Sequence, residues 1–354
     1  MKSPQKSWIF PLQIIVSVLV IWLLIRTTNL SRIRHELSDA SMGWLFVATL
    51  IKAASLTLHE VRLWISMMPD HRRPAWPIIG IGYTSGLVNA ILPARGGDIV
   101  AVALLKKEHN VPVPAALAAV GVTAMLEALV FALFLMVVLI LGGAHWDKMQ
   151  VDGGWAIQPH QAMIGLGICC GVAMAIGVIA IRLSRKKQAE SSSKQGFRGL
   201  VRKTLEETGV SLGSWRHVTL NLLLALVQVF LVVGCFAALI PTVGLELNPD
   251  LPILAVSGVI AFGALSAVLL PPSLGAGPAV AAVLVFSAFG VEKDQALAFA
   301  AMSWFANTIP VLALGLWPLL SKIRHFGSLK SLVADVDAQA DPEAISSAAG
   351  EDSD

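Results

Sequence analysis

The residues Leu92 to Asp98 read LPARGGD, inside a stretch, 89–107, that is otherwise apolar enough for a bilayer. Arg95 supplies a planar, permanently charged guanidinium suited to two-point contact with a phosphate. Gly96 and Gly97 permit a tight reversal and close backbone approach. A helix beginning near Asp98 would point unpaired N–H groups at the same place, and helix N-termini favour anions. Together these residues describe a phosphate-sized anion site, with Asp98 as a helix cap or a partner for Arg95. The alternative is an Arg95 that snorkels to the interface and anchors a bent helix; an arginine at membrane depth is expensive unless it is used.

Other polar residues invite chemistry. Glu127 lies well inside an apolar run, where an ionised carboxyl needs a partner or water. Arg95, Arg62 or a lipid amine would serve, and a protonated, hydrogen-bonded structural carboxyl is the alternative. His59 and Glu60 in LHEVRLW begin a zinc-protease pattern, but Leu63 and Trp64 stand where the second histidine should fall. They read instead as a polar pair near a span end or cavity wall. Asn89 and Asn307 read as hydrogen-bonding groups between packed helices, with substrate contact as the other option. Cys169, Cys170 and Cys235 lie in apolar runs without metal-ligand spacing and read as small packing residues.

The elements that must position these residues follow from composition. Of 354 residues, 56% are hydrophobic and 14% charged, against about a quarter charged in soluble domains. Apolar runs near 8–25, 43–66, 113–142, 161–182, 217–240 and 295–320 approach or exceed the roughly 18–20 residues that cross hydrocarbon. Two further apolar regions, 77–105 and 251–290, are each broken by a Pro/Gly cluster. The chain is expected to be an all-α, polytopic membrane protein occupying residues 1–334, with an uncleaved first helix. The acidic tail, 335–354, is expected to be disordered. A net charge of +3 does not suggest nucleic acid.

The longest polar segment, 183–216, is read as a basic cytoplasmic loop whose charges face anionic lipid. This puts both termini inside and the Lys/Arg-poor loops 143–160 and 241–250 outside; Arg26, Arg32 and Arg34 run against the rule. Trp44, Trp76, Trp146, Trp155, Trp215 and Trp317 fall near span ends, as an interfacial belt requires.

The two broken regions resemble each other. Pro93 matches Pro272, Gly96 matches Gly275, and Val111 matches Val291 after a one-residue offset, which brings Glu127 against Asn307. The parts recur in order: apolar helix, broken segment, polar loop, long helix. This outlines a repeat over 43–142 and 217–320, and the charge rule gives the copies opposite orientations. Such inverted repeats set discontinuous segments near the midplane. Exposed backbone at membrane depth is tolerated only under protein or water cover, so both clusters read as tips of re-entrant helical hairpins.

LPARGGD followed by a helix, the element PSLGAG and the later helix ending IPVLALG resemble the membrane domain of the lysylphosphatidylglycerol synthase/flippase family, over roughly residues 8–320. The resemblance implies a multi-span protein with re-entrant segments that moves charged phospholipids between leaflets. Arg62 is similar to the family's arginine at the end of the second span. Arg95, Gly97 and Asp98 are similar to its Gly-Arg-x-Gly-Glu element, with Ala94 and Asp98 substituting for Gly and Glu. Gly275 and Gly277 resemble its second glycine element, where Pro278 and Ala279 replace the acidic residue that often follows. Glu127 resembles the acidic end of its Glu-Arg-x-x-Asp motif, whose first two positions are here Thr123 and Ala124. Ser303 or Trp304 replaces the arginine of the last span. The soluble aminoacyl-transferase domain of the bifunctional members is missing, so synthesis of aminoacylated lipid is not expected.

The candidate substrate-binding residues are therefore Arg62, Arg95, Gly96, Gly97, Asp98, Glu127, Ser273, Gly275, Gly277 and Asn307. The leading expectation is a non-enzymatic lipid translocase of the bacterial inner membrane, without cofactor, with a phosphate-bearing lipid as partner and homo-oligomerisation left open. An ion-coupled carrier of a small organic anion is the runner-up. An intramembrane lipid-modifying enzyme is a third class; Ser273 is available as a nucleophile, but no partner base is identifiable.

Overall fold

The computed structural model describes residues 38–67, 74–91, 96–146, 197–245, 252–269 and 276–326. Among these residues all regular structure is helical: α1 Met42–Met67, α2 Ala75–Ile91, α3 Gly96–His109, α4 Val113–Trp146, α5 Phe197–Gly213, α6 Trp215–Val243, α7 Pro252–Leu269, α8 Ala276–Ala288 and α9 Lys293–Phe326. Four of them, α1, α4, α6 and α9, are long and apolar enough to cross a membrane. They coincide with four of the expected spans. The spans expected at 8–25 and 161–182, most of the loop 143–160, and the tail 335–354 lie outside the described residues. Trp44, Trp76, Trp215 and Trp317 are exposed on their helices.

One expectation changes. Residues 197–213, read as part of a polar loop, form α5. Low hydropathy hid a helix that is amphipathic: Glu206 is buried and accepts a hydrogen bond from Arg202 Nε one turn earlier, while Arg202 and Lys203 face outward.

Both broken regions resolve into helix pairs, α2 packed on α3 and α7 packed on α8. The stops between α3 and α4 and between α8 and α9 are alike. Asn110, with φ 52°, and Gly290, with φ 77°, take the left-handed conformation that ends a helix. The following N–H groups return to helix carbonyls, Val111 to Leu105 at 3.2 Å and Val291 to Phe286 at 3.0 Å. Asparagine and glycine are the residues that adopt this conformation most readily. The interval from Asn110 to Gly290 also separates Val113 from Lys293, the first residues of two helices that are each 34 residues long. It separates Gly97 from Gly277, the second residues of α3 and α8, both buried. The helices thus follow the Val111/Val291 register. The one-residue offset falls before them, so Gly97, and not Gly96, occupies the place equivalent to a glycine of PSLGAG.

Contacts divide the chain into two compact units. The α7–α8 unit also takes α1 through Ser55, α4 from Ala132, α6 from Val229 and α9 through Pro310. Its core centres on Phe299, which meets Phe286 edge-on at 4.9 Å and Phe236 at 6.1 Å, with Leu239, Cys235 and Val285 buried around them. The α2–α3 unit takes α1 from Leu56, α4 through Phe131, α5, α6 through Gln228 and α9 from Val311. Its core holds Ile78, Ile81, Leu104, Leu105 and Val111.

In the α2–α3 unit, Gly315 lets α9 lie close on α2. A Cβ there would stand 2.7 Å from Leu87 Cβ and 2.8 Å from the Tyr83 carbonyl oxygen. Gly121 of α4 has nothing within 4 Å of its Cβ position. Gly315→Val is therefore expected to lower stability by about 1–3 kcal/mol, the cost of overpacking. Gly121→Ala should be neutral or raise it by up to about 1 kcal/mol. Thermal unfolding of the detergent-solubilised variants checks the contrast; equal effects would disprove the close α2–α9 packing.

Candidate functional site

Three helices of the α2–α3 unit carry polar residues at helical spacing. On α1 these are His59, Arg62 and Ser66; on α4, Thr123 and Glu127; on α6, Asn221 and Gln228. Spacings of three, four or seven put each set on one helix face. In an apolar span such a stripe must find partners inside the protein, because hydrocarbon offers none.

The partners converge on Arg62, whose side chain is fully buried. Its Nε donates to Asn221 Oδ1 at 2.9 Å, Nη1 to Gln228 Oε1 at 2.7 Å, and Nη2 to the Thr123 carbonyl oxygen at 3.1 Å. Glu127 supplies the countercharge, with Oε2 3.6 Å from Arg62 Nη1 and 3.0 Å from His59 Nδ1. Gln228 Nε2 donates to Glu127 Oε1 at 3.3 Å. Both amide orientations are forced: arginine cannot accept, and an ionised carboxylate cannot donate. Asn221 Nδ2 donates in turn to Ser66 Oγ at 2.8 Å, and the Ser66 and Thr123 hydroxyls lie 2.8 Å apart. From α5, Ser211 Oγ donates to the Ser66 carbonyl oxygen at 3.3 Å.

A second polar junction joins α2 to α3. Asn89 Oδ1 accepts from the Gly97 N–H at 2.7 Å, and Asn89 Nδ2 donates to Asp98 Oδ1 at 2.8 Å. One amide thus caps the start of α3 from the neighbouring helix and holds its first acidic residue. Gly97 is required for this approach. A Cβ there would run into the Ser85 carbonyl oxygen and stand 2.8 Å from both Asn89 Cγ and Asn89 N. Asp98 in the first turn of α3, and Lys106, Lys107 and His109 in the last, complement the helix dipole.

The α2–α3 unit therefore contains Arg62 and Glu127 in one hydrogen-bonded cluster, and Gly96, Gly97 and Asp98 at the start of α3. Gly277 is the second residue of α8 and Asn307 lies on α9, both in the α7–α8 unit, where Asn307 Nδ2 donates to its own helix at the Ser303 carbonyl oxygen, 2.7 Å away. Arg95, Ser273 and Gly275 lie outside the described residues. Of the partners open to Glu127 in the sequence, the structure uses Arg62, together with His59. Sequence reasoning missed Asn221 and Gln228, although two amides seven residues apart in an apolar run are a readable signal. Among the described residues no group of three or more His, Cys, Asp or Glu is arranged to hold a metal ion.

Removing Arg62 would take the arginine countercharge from Glu127 and leave the Asn221 and Gln228 amide oxygens without their arginine donor. Arg62→Ala is expected to lower stability by about 3 kcal/mol, the low end for breaking a buried pair, because Glu127 is 36% exposed. In a Glu127→Gln background the same change should cost about 1 kcal/mol less. A thermal-unfolding double-mutant cycle checks this; strictly additive losses would show that the charges do not interact.

A comparison with curated proteins finds no match. The family described as "Lysylphosphatidylglycerol synthase TM region" matches residues 11–315, so most of the chain, including both polar junctions, falls within it. The match covers more than half of the chain, and the four membrane-length helices accord with it: the chain belongs to the family of the lysylphosphatidylglycerol synthase transmembrane region.

Proposed function

We propose that the protein is a lipid translocase that moves a phosphate-bearing phospholipid between leaflets of the bacterial cytoplasmic membrane, without chemical change to the lipid. The observation that carries this is the Arg62–Glu127 cluster inside apolar, membrane-length helices. Intramembrane charges are costly and mark substrate or ion pathways. Family membership adds a lipid-related context.

In this scheme α2–α3 and α7–α8 are re-entrant hairpins of two inverted repeats. Matching helix lengths and helix stops support the repeat. Opposite orientation is supported within the α2–α3 unit, where Arg62 meets Gln228 and Ser66 meets Asn221, so α1 and α6 run antiparallel. Arg62 spends donors on Asn221, Gln228 and Thr123, which suits it to organising the polar wall. Arg95, two residues before Gly97, is the headgroup contact in this scheme, with the capped start of α3 beside it.

If Arg95 makes a two-point phosphate contact, Arg95→Lys fails despite keeping its charge, because an ammonium lacks the planar fork. Arg95→Ala should abolish translocation and leave expression and folding intact. The measurement is headgroup exposure of a labelled anionic phospholipid in reconstituted vesicles. A lysine variant that matches wild type would remove Arg95 from the headgroup site.

The orientation that goes with this scheme has both termini and segment 183–216 in the cytoplasm. A cysteine at Ser192 should resist an impermeant thiol reagent in intact cells and react after permeabilisation. Labelling in intact cells would reverse the orientation.

A further inference from the structure

The translocation scheme leaves α5 unused, although this helix is seated against the polar cluster. Ser211 Oγ donates to the carbonyl oxygen of Ser66, one residue before the end of α1, at 3.3 Å. Ser66 Oγ in turn receives Asn221 Nδ2 from α6 at 2.8 Å. Past Ser211, α5 leads through Ser214 into Trp215, the first residue of α6. Because α1 and α6 are both membrane-length, the corner where α5 meets their ends stands at a membrane boundary. Five charged residues among seventeen keep α5 itself out of hydrocarbon.

This corner sorts its charges by sign. Arg202 and Lys203 are exposed, whereas Glu206 is buried and Glu207 half-buried. Arg202 joins the two zones, half exposed with its Nε 3.1 Å from Glu206 Oε1. On α6, Arg216 is exposed, and its guanidinium lies 5.9 Å from the ring centre of Trp215, itself 71% exposed. Val201 adds an exposed apolar side chain beside Arg202. An indole paired with a guanidinium suits the headgroup layer, where the ring meets the apolar boundary and the cation reaches phosphate. The helix also breaks a local rule. Its first turn holds Arg198 and no acidic residue, where the helix dipole favours anions. Anions from outside the chain would offset that arrangement. Segment 183–216 carries eight lysines and arginines against three glutamates, so the surface it fits is extended and negative.

We propose that the exposed side of α5 and the first turn of α6 form a docking face for the headgroups of anionic phospholipids in the leaflet beside them. The partner is a bilayer surface bearing net negative charge, because the cations are spread over two helices and accompanied by an exposed indole. Phosphates held there would steady α5 on the end of α1, next to the bond that holds Asn221 in register. This site goes beyond the translocase assignment and stands independently of it.

The test uses the full chain with its native cysteines changed to alanine and Val201→Cys carrying a fluorophore. It is reconstituted in mixed vesicles of phosphatidylcholine and phosphatidylglycerol, with spin labels on the headgroups of one lipid or the other. Quenching should favour labelled phosphatidylglycerol, and the preference should fall on the order of fivefold for each cation removed by Lys203→Gln and Arg216→Gln. Added salt should weaken it in the same direction. Neither residue belongs to the Arg62 cluster, so thermal unfolding in detergent should be unchanged. Equal quenching by the two lipids in the unsubstituted face, or an unchanged preference in the double variant, overturns the site. Strong quenching by aqueous iodide with none from either lipid also overturns it. Shielding of the label by added heparin in that case would assign the face to a soluble acidic partner instead.

Discussion

A guanidinium that is fully buried within an apolar helix must have nearly all its hydrogen bonds made by protein. Arg62 imposes that requirement on the α2–α3 unit, and three helices answer it. From α6 come two amides, from α4 a carboxylate and a backbone carbonyl, and from α1 itself the serine that holds Asn221 in register. The net value of such a network to stability is small, because desolvation offsets most of the attraction. Its value lies in specificity. Sliding α6 by one turn along α1 would break the bonds to Asn221 and Gln228 together, so the polar cluster selects a single helix register where apolar packing alone would tolerate several.

The α2–α3 junction applies the same physics on a smaller scale. The start of a helix leaves N–H groups without partners, and next to an apolar core they must be met at close range. Asn89 meets one with its amide oxygen and uses the amide nitrogen to hold Asp98. This works only because Gly97 has no side chain to keep the α3 backbone away from Ser85 and Asn89. The glycine there serves contact distance, since α3 is regular helix from Gly96.

The helices α4 and α9 are equal in length and follow left-handed helix stops, but they carry different chemistry. Thr123 and Glu127 on α4 face partners from α1 and α6. Their counterparts at the same interval on α9, Ser303 and Asn307, bond to carbonyls of their own helix, at Ala300 and Ser303. Replacing a carboxylate with an amide removes the charge that would need a partner, and the helix backbone then satisfies the side chain locally. Among the described residues of the α2–α3 unit, His59 and Arg62 both meet the Glu127 carboxylate, at 3.0 and 3.6 Å.

Much of this architecture is readable from one sequence because hydrocarbon is a strict solvent. Twenty apolar residues with few charges leave little choice but a helix, and α1, α4, α6 and α9 lie where the apolar runs put them. The Pro/Gly clusters announced the breaks after α2 and α7, and the Val111/Val291 match announced the common interval. Segment 197–213 escaped notice because an amphipathic helix with low mean hydropathy resembles a polar loop until its buried face finds a neighbour. The partners of Arg62 were equally hidden. Asn221 and Gln228 lie 159 and 166 residues away in sequence, and spacing along one helix names a face without naming what that face meets. Residue composition alone determined that the chain is helical and membrane-bound. Only the packing of α1 against α4 and α6 decided that Arg62 is satisfied by amides and Glu127, because hydrogen bonds between distant segments depend on distances that linear sequence does not contain.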